Sequence, residues 1–242
     1  MDEPRPRVQR EVVSFVRRSA RMNPSQLKAW TEHQRWVLRV PSRQTSTSVD
    51  PSARVDWPDE FGRSAPQVVE IGGGTGDVIA SVAAHRPEQD FIAFEVFEPA
   101  IASTLSKCAR AGVDNVRVVV ANGVDALGAL IADRSLTELW TFFPDPWHKS
   151  RHHKRRLVPP AFAALAASKL APDGVWRLAT DWEDYALVMR EVLDANAQLI
   201  NCHSGWAPRW QDRPLSRYEA KGVAAGRTIR DLCYRIREGS DG

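Results

Sequence analysis

The sequence predicts an α/β fold, a doubly wound and mostly parallel sheet with an antiparallel strand near the C-terminus. Three observations carry that prediction. From residue 66 onward, short apolar runs alternate with helical patterns, the order that builds parallel strand–helix–strand units. The first apolar run ends in a glycine-rich turn that leads into a helix. A later run, with Val116, Val118, Val119 and Val120, has the composition of a strand buried on both faces.

The elements follow in order. Residues 67–72 form a strand ending in glycines, and 78–85 form a helix stopped by Pro87. Residues 90–96 form a second strand, and 99–111 a helix closed by Gly112. The valine-rich strand covers 115–121. Strands at 138–143 and 174–180 come next, with helices at 160–170 and 183–195 flanking the second of them. Residues 199–203 and 228–237 read as late strands suited to antiparallel pairing. Upstream, 11–19 and 25–40 read as short helices, and 41–58, rich in Ser, Thr, Pro and Asp, as a loop. The chain therefore divides into a basic, partly flexible arm and linker (1–65) and one folded domain (66–242).

Composition bounds the function. The 242 residues are 43% hydrophobic and 26% charged, an ordinary globular balance. No apolar run approaches the roughly 20 residues needed to cross a bilayer. The N-terminus lacks the apolar stretch of a secretion signal. Cys108, Cys202 and Cys233 lie far apart, which fits a reducing cytoplasm and makes neither a disulfide frame nor a zinc knuckle. The net charge is only +3, but residues 1–43 hold ten Lys/Arg against four Asp/Glu. A basic arm on a slightly acidic body points to a polyanionic partner, and a solvated terminus is the other reading of the same charge.

In a doubly wound sheet, ligands bind at the carboxyl ends of the strands. Glu70 precedes a loop in which Gly72, Gly74 and Gly76 follow the spacing G-x-G-x-G. That is not the dinucleotide spacing G-x-G-x-x-G, which counts against a nicotinamide oxidoreductase. An acid before the loop suits a ligand with a positive centre. Glu95 lies near the end of the second strand, where a carboxylate accepts hydrogen bonds from ribose hydroxyls. Asn122 follows the third strand, where an amide pairs with an adenine edge. Glycine loop, second-strand acid and third-strand polar residue, in that order, are the pattern of class I methyltransferases that use S-adenosylmethionine.

The densest chemistry lies at residues 142–156. Asp145 stands at the carboxyl end of the fourth strand, between Pro144 and Pro146, which lock their own backbone angles. Trp147 offers a flat face to a base. Arg151, His152, His153, Lys154, Arg155 and Arg156 then form a basic run suited to phosphates. With no cysteine and one acid nearby, the histidines here do not make a metal site.

This segment resembles the Phe-Pro-Asp-Pro-Trp-x-Lys-x-Arg-His-x-Lys-Arg-Arg signature of the bacterial tRNA (guanine-N7-)-methyltransferases. The resemblance runs from about residue 66 to the C-terminus. It includes Glu70 with its glycines, Glu95, residues 179–182 (Ala-Thr-Asp-Trp), and Ser216, Arg217, Tyr218 and Glu219 with Gly222. It implies a Rossmann-like class I methyltransferase that moves a methyl group from S-adenosylmethionine to N7 of a guanine in tRNA, guanine 46 of the variable loop. Glu70, Gly72, Gly74, Gly76, Glu95, Asn122 and Asp145 are the implied cofactor contacts, with Asp145 also the positioning and electrostatic residue at the transfer centre. Lys149, Asp181, Ser216, Arg217, Tyr218 and Glu219 are the implied substrate contacts. Asp181 and Glu219 are suited to accept from the N1–H and N2–H2 of guanine, and residues 151–156 to hold tRNA phosphates. The family includes monomers and homodimers. Three positions depart from its usual pattern: Ser216 for Thr, Tyr218 for Phe, and Asn122 for Asp. Three readings compete with it: a methyltransferase for protein or small molecules, one for another RNA, and a non-catalytic RNA-binding protein on this scaffold.

Overall fold

A computed structural model describes residues 21–237. The helix expected at 11–19, and the arginines of that stretch, lie outside the described residues. The strands and helices run α1 (Pro24–Glu32), β1 (Val37–Leu38), α2 (Trp57–Phe61), β2 (Gln67–Ile71), α3 (Asp77–His85), β3 (Asp90–Glu95), α4 (Glu98–Ala111), β4 (Val116–Val120), α5 (Gly123–Leu130), β5 (Leu136–Phe142), α6 (Pro160–Lys169), β6 (Leu170–Thr180), α7 (Glu183–Asp194), β7 (Leu199–Asn201), α8 (Arg217–Ala224) and β8 (Arg230–Ile236).

The eight strands form one sheet in the order β1-β4-β3-β2-β5-β6-β8-β7. Neighbours from β1 to β6 pair in parallel, and β8 runs antiparallel between β6 and β7. The expected class is thus observed, down to the antiparallel late strands. Each face of the sheet carries a core, because successive strand residues point to opposite sides. Val69 and Leu139 face α5, α6 and α7, whereas Val68 and Trp140 face α3 and α4.

Three local expectations change. Residues 25–40 do not continue as helix. After α1, Val37 and Leu38 pair in parallel with Val118 and Val119 and become an edge strand, while Trp36 is buried. Pairing beside a valine-rich strand overrides local propensity. Second, residues 21–65 are not a linker, since Trp36, Val49 and Trp57 join the cores and the Trp57 indole donates to Leu130 O at 2.9 Å. Third, α2, α5 and α8 arise where no helix was expected; Asp56, Asn122 and Ser216 cap them. Among the described residues, no helix is long and apolar enough to cross a membrane.

Candidate active site

The crevice outside β2, β3, β4 and β5 gathers the acidic residues singled out in the sequence. Glu70 is the penultimate residue of β2 and is 3% exposed. Its Oε2 is buried with no hydrogen-bond partner among the described residues. Burial pushes its carboxyl up to about 8, and Glu95 and Asp77 reinforce the shift. The glycine loop lies over it. Gly76 has φ +71°, and a Cβ there would stand 2.5 Å from Thr104, so only glycine brings the loop down onto α4. Lys107, one turn further along α4, also pins the loop, donating to Thr75 O at 2.6 Å and pairing with Asp77 at 2.7 Å.

Glu95 sits at the end of β3. It accepts from the backbone N–H groups of Gly74, Val96 and Phe97 at 2.9, 2.7 and 2.9 Å, tying the loop to the strand end. Burial still raises its carboxyl above the usual range despite these donors, and Asp145 adds to the rise. Asn122 accepts from Val124 N and Asp125 N and caps α5.

The chain then leaves β5 through a corner held against its preference. Phe143 (φ 52°) and Trp147 (φ 43°) are both left-handed, and they bracket Pro144, Asp145 and Pro146. Left-handed backbone at bulky residues is costly and persists where surrounding structure enforces it. Phe143 N donates to Ala179 O at 2.7 Å, and the Arg213 guanidinium lies over the Phe142 and Phe143 rings, 5.1 and 5.6 Å from their centroids. Asp145 is therefore an exposed carboxylate on a fixed corner.

Residues 150–155 form a short 3-10 turn beside that corner. Arg155 lies 4.9 Å over the Trp147 ring, His152 meets the same ring edge-on, and His148 packs on Trp182 at 4.0 Å. Lys149, Arg151 and Lys154 are exposed.

The C-terminal segment is organised by arginines. Arg213 is fully buried; it donates to both oxygens of Asp231 and to Glu219. Arg209 makes a two-pronged contact with Glu219 at 2.6 and 3.0 Å. Burial works to raise the Glu219 carboxyl, but the two arginines outweigh it and hold it below the usual range. Asp181, after β6, accepts from Arg227 Nε at 2.7 Å. A cavity of about 370 Å³ opens under residues 203–212, against Arg177, Asp231 and Cys233, and no acidic residue of the strand-end crevice lines it.

The family model described as "Putative methyltransferase" matches residues 64–232. A tRNA (guanine-N(7)-)-methyltransferase of Cutibacterium acnes is 55% identical over 95% of this chain and 84% of its own. One from a Nocardioides species is 46% identical over 94% of this chain and 88% of its own. The chain belongs to the tRNA (guanine-N(7)-)-methyltransferase family. Among solved structures, the 16S rRNA methyltransferase KamB aligns with a TM-score of 0.55 at 15% identity, covering 82% of this chain and 98% of that one. The antibiotic-resistance methyltransferase Kmr gives 0.51 at 17%, covering 83% and 99%. At such identities the likeness shows the fold, that of Rossmann-like methyltransferases.

The family's motif residues separate into two groups in this structure. Glu70, Gly72, Gly74, Gly76, Glu95, Asn122 and Asp145 all come to the strand ends. Three others turn inward. Arg156, the last residue of the basic run, is 5% exposed and donates to Pro146 O and Asp184, with its guanidinium over Tyr185. It buttresses the Asp145 loop and is not presented to a phosphate. Glu219 is likewise 1% exposed and claimed by two arginines, so its carboxylate is not presented to a base. Ser216, also buried, spends its hydroxyl capping α8, accepting from Glu219 N at 3.2 Å. Arg217 and Tyr218 stay exposed on the first turn. Sequence reasoning missed Thr104, Lys107, Arg209, Arg213 and Arg227. The helical spacing of Thr104 and Lys107 was visible, but their partners lie about 30 residues away. Among the described residues, no cluster of three His, Cys, Asp or Glu could hold a metal.

Proposed function

We propose that this protein transfers a methyl group from S-adenosylmethionine to N7 of a guanine in tRNA, guanine 46 of the variable loop by family resemblance. The observation that carries the reading is the Glu70–Glu95–Asp145 cluster at the strand ends, with the Glu70 oxygen unpartnered and an exposed basic turn alongside. The names borne by relatives at 46–55% identity supply the substrate. The donor set fits the cofactor. A buried carboxylate that forms no ion pair among the described residues suits a cationic ligand, and the acceptors Glu70 and Glu95 suit ammonium and hydroxyl donors.

S-adenosylmethionine supplies a methyl group on a positively charged sulfur. Guanine N7 carries an in-plane lone pair and no proton, so Asp145 has no proton to remove there. Its part is to hold the base edge and to stabilise positive charge as it develops on the purine. The left-handed corner fixes where that carboxylate stands, and fixed geometry supplies much of the rate in a transfer of this kind. Asp181 accepts from the N1–H and N2–H2 of guanine, which selects against adenine, whose N1 is itself an acceptor. Lys149 donates to O6 or an adjacent phosphate. Arg151, His152, His153, Lys154 and Arg155 hold the tRNA backbone. Glu219 and Arg156 serve as struts for this machinery.

The experiment is incubation of the protein with methyl-labelled cofactor and unmodified tRNA, followed by nucleoside analysis and mapping of the product. Labelled 7-methylguanosine at one position is the expected result. Label in another nucleoside, or none with cofactor bound, overturns the reading.

A further inference from the structure

We propose that Gly222 and Arg227 are the positioning residues that hold Asp181 in register for the guanine. The inference rests on the reading of Asp181 given above. Asp181 follows the last residue of β6, and two features of α8 meet its carboxylate. The first is a space. Gly222 lies inside α8, where glycine weakens a helix and calls for a packing reason. That reason is Asp181: a Cβ on Gly222 would stand 2.8 Å from Asp181 Oδ2 and 3.0 Å from its Cβ. The helix backbone is thus the wall against which the carboxylate rests.

The second feature is a charge. Arg227 Nε donates to Asp181 Oδ2 at 2.7 Å. Arg227 is itself anchored to the same helix, since its N–H donates to Gly222 O at 3.0 Å. Wall and clamp therefore move together. The clamp takes one lone pair of Oδ2, and Oδ1 has no partner among the described residues. A carboxylate offers about four acceptor sites, so the remainder are left for base donors. Unlike the buried Arg213, the Arg227 side chain is 39% exposed, so its removal opens no core.

The test is steady-state methylation of unmodified tRNA at saturating cofactor by wild type, Arg227→Ala, Arg227→Lys, Gly222→Ala and Asp181→Ala. Thermal midpoints and cofactor Kd are measured alongside, and each variant is assayed well below its own midpoint. Loss of a charge-assisted hydrogen bond should raise the tRNA KM of Arg227→Ala roughly 10-fold, with kcat and cofactor Kd little changed. Gly222→Ala should move KM in the same direction, Arg227→Lys should recover part of it, and Arg227→Ala added to Asp181→Ala should cost nothing further. A wild-type KM for Asp181→Ala removes the reading of Asp181 and the positioning with it. An impaired Asp181→Ala beside wild-type KM values for Arg227→Ala and Gly222→Ala removes the positioning alone. Additive losses in the double variant also overturn it, since they mean that Arg227 contacts tRNA on its own account. Should Gly222→Ala not fold, Arg227→Ala and the double variant decide.

Discussion

Carboxylates at the strand ends and carboxylates of the C-terminal segment are treated in opposite ways. Glu70 and Glu95 are buried with backbone donors or none, next to one another and to Asp145. Glu219 and Asp231 are buried with arginines on them, and Asp181 carries one at its edge. Burying an unpaired charge is expensive, and pairing it removes much of the penalty. Among the described residues Glu70 and Glu95 form no ion pair, an arrangement suited to a cationic ligand. The second group is paired and serves as framework, with Asp181 at the boundary between them.

The contrast can be broken most sharply at Asp145. If it acts on the reacting base, Asp145→Ala should lower single-turnover methyl transfer roughly 10²–10³-fold at saturating cofactor and tRNA, with an unchanged thermal midpoint. A drop of less than threefold, about 0.6 kcal/mol, would return the residue to the loop scaffold. Framework carboxylates should show the reverse. Glu219→Ala leaves Arg209 and Arg213 short of a partner and should cost about 3–5 kcal/mol in denaturant titration. Unchanged stability there would erase the distinction between the two groups.

Two smaller effects sharpen it. Glu70 favours its protonated form in the fold, so its contribution is fully present below its ordinary value near 4.5 and is lost as pH rises through about 8. Without cofactor, Glu70→Gln should come nearest to wild type at pH 4 and exceed its stability at pH 9, by on the order of 1 kcal/mol or more. Equal stability at both pH values would show that Glu70 is not the strained acid of the pair. Within the basic turn, Lys154→Ala should flatten the salt dependence of tRNA binding by about one counterion, whereas Arg156→Ala should lower stability and leave the slope alone. Filter binding across a salt series separates them.

The fold and the strand-end crevice were largely legible in the sequence. Alternation of apolar runs fixes parallel strands, and the acids that end them follow from strand position alone, so Glu70, Glu95 and Asp145 could be found without a structure. The inward turns of Glu219 and Arg156 could not. Both sit in motifs that look like ligand contacts, and only the folded positions of their partners decide otherwise: Arg209 and Arg213, a few residues upstream, for one, and the distant Asp184 and Tyr185 for the other. The helices α5 and α8 were missed for a related reason. Each begins on a polar cap, Asn122 or Ser216, that read as a ligand contact. A capping oxygen and a ligand-binding oxygen look alike in one dimension.

The place of β8 in the sheet bears on how the chain is made. β7 pairs with β8 alone, and β8 is also what covers the free edge of β6. During synthesis, therefore, β6 presents an open edge and β7 has nowhere to dock until residues 230–236 have left the ribosome. The Asp181 acid emerges some 50 residues before the strand that pairs with the end of β6, so the surroundings of this carboxylate are among the last parts of the sheet to be completed.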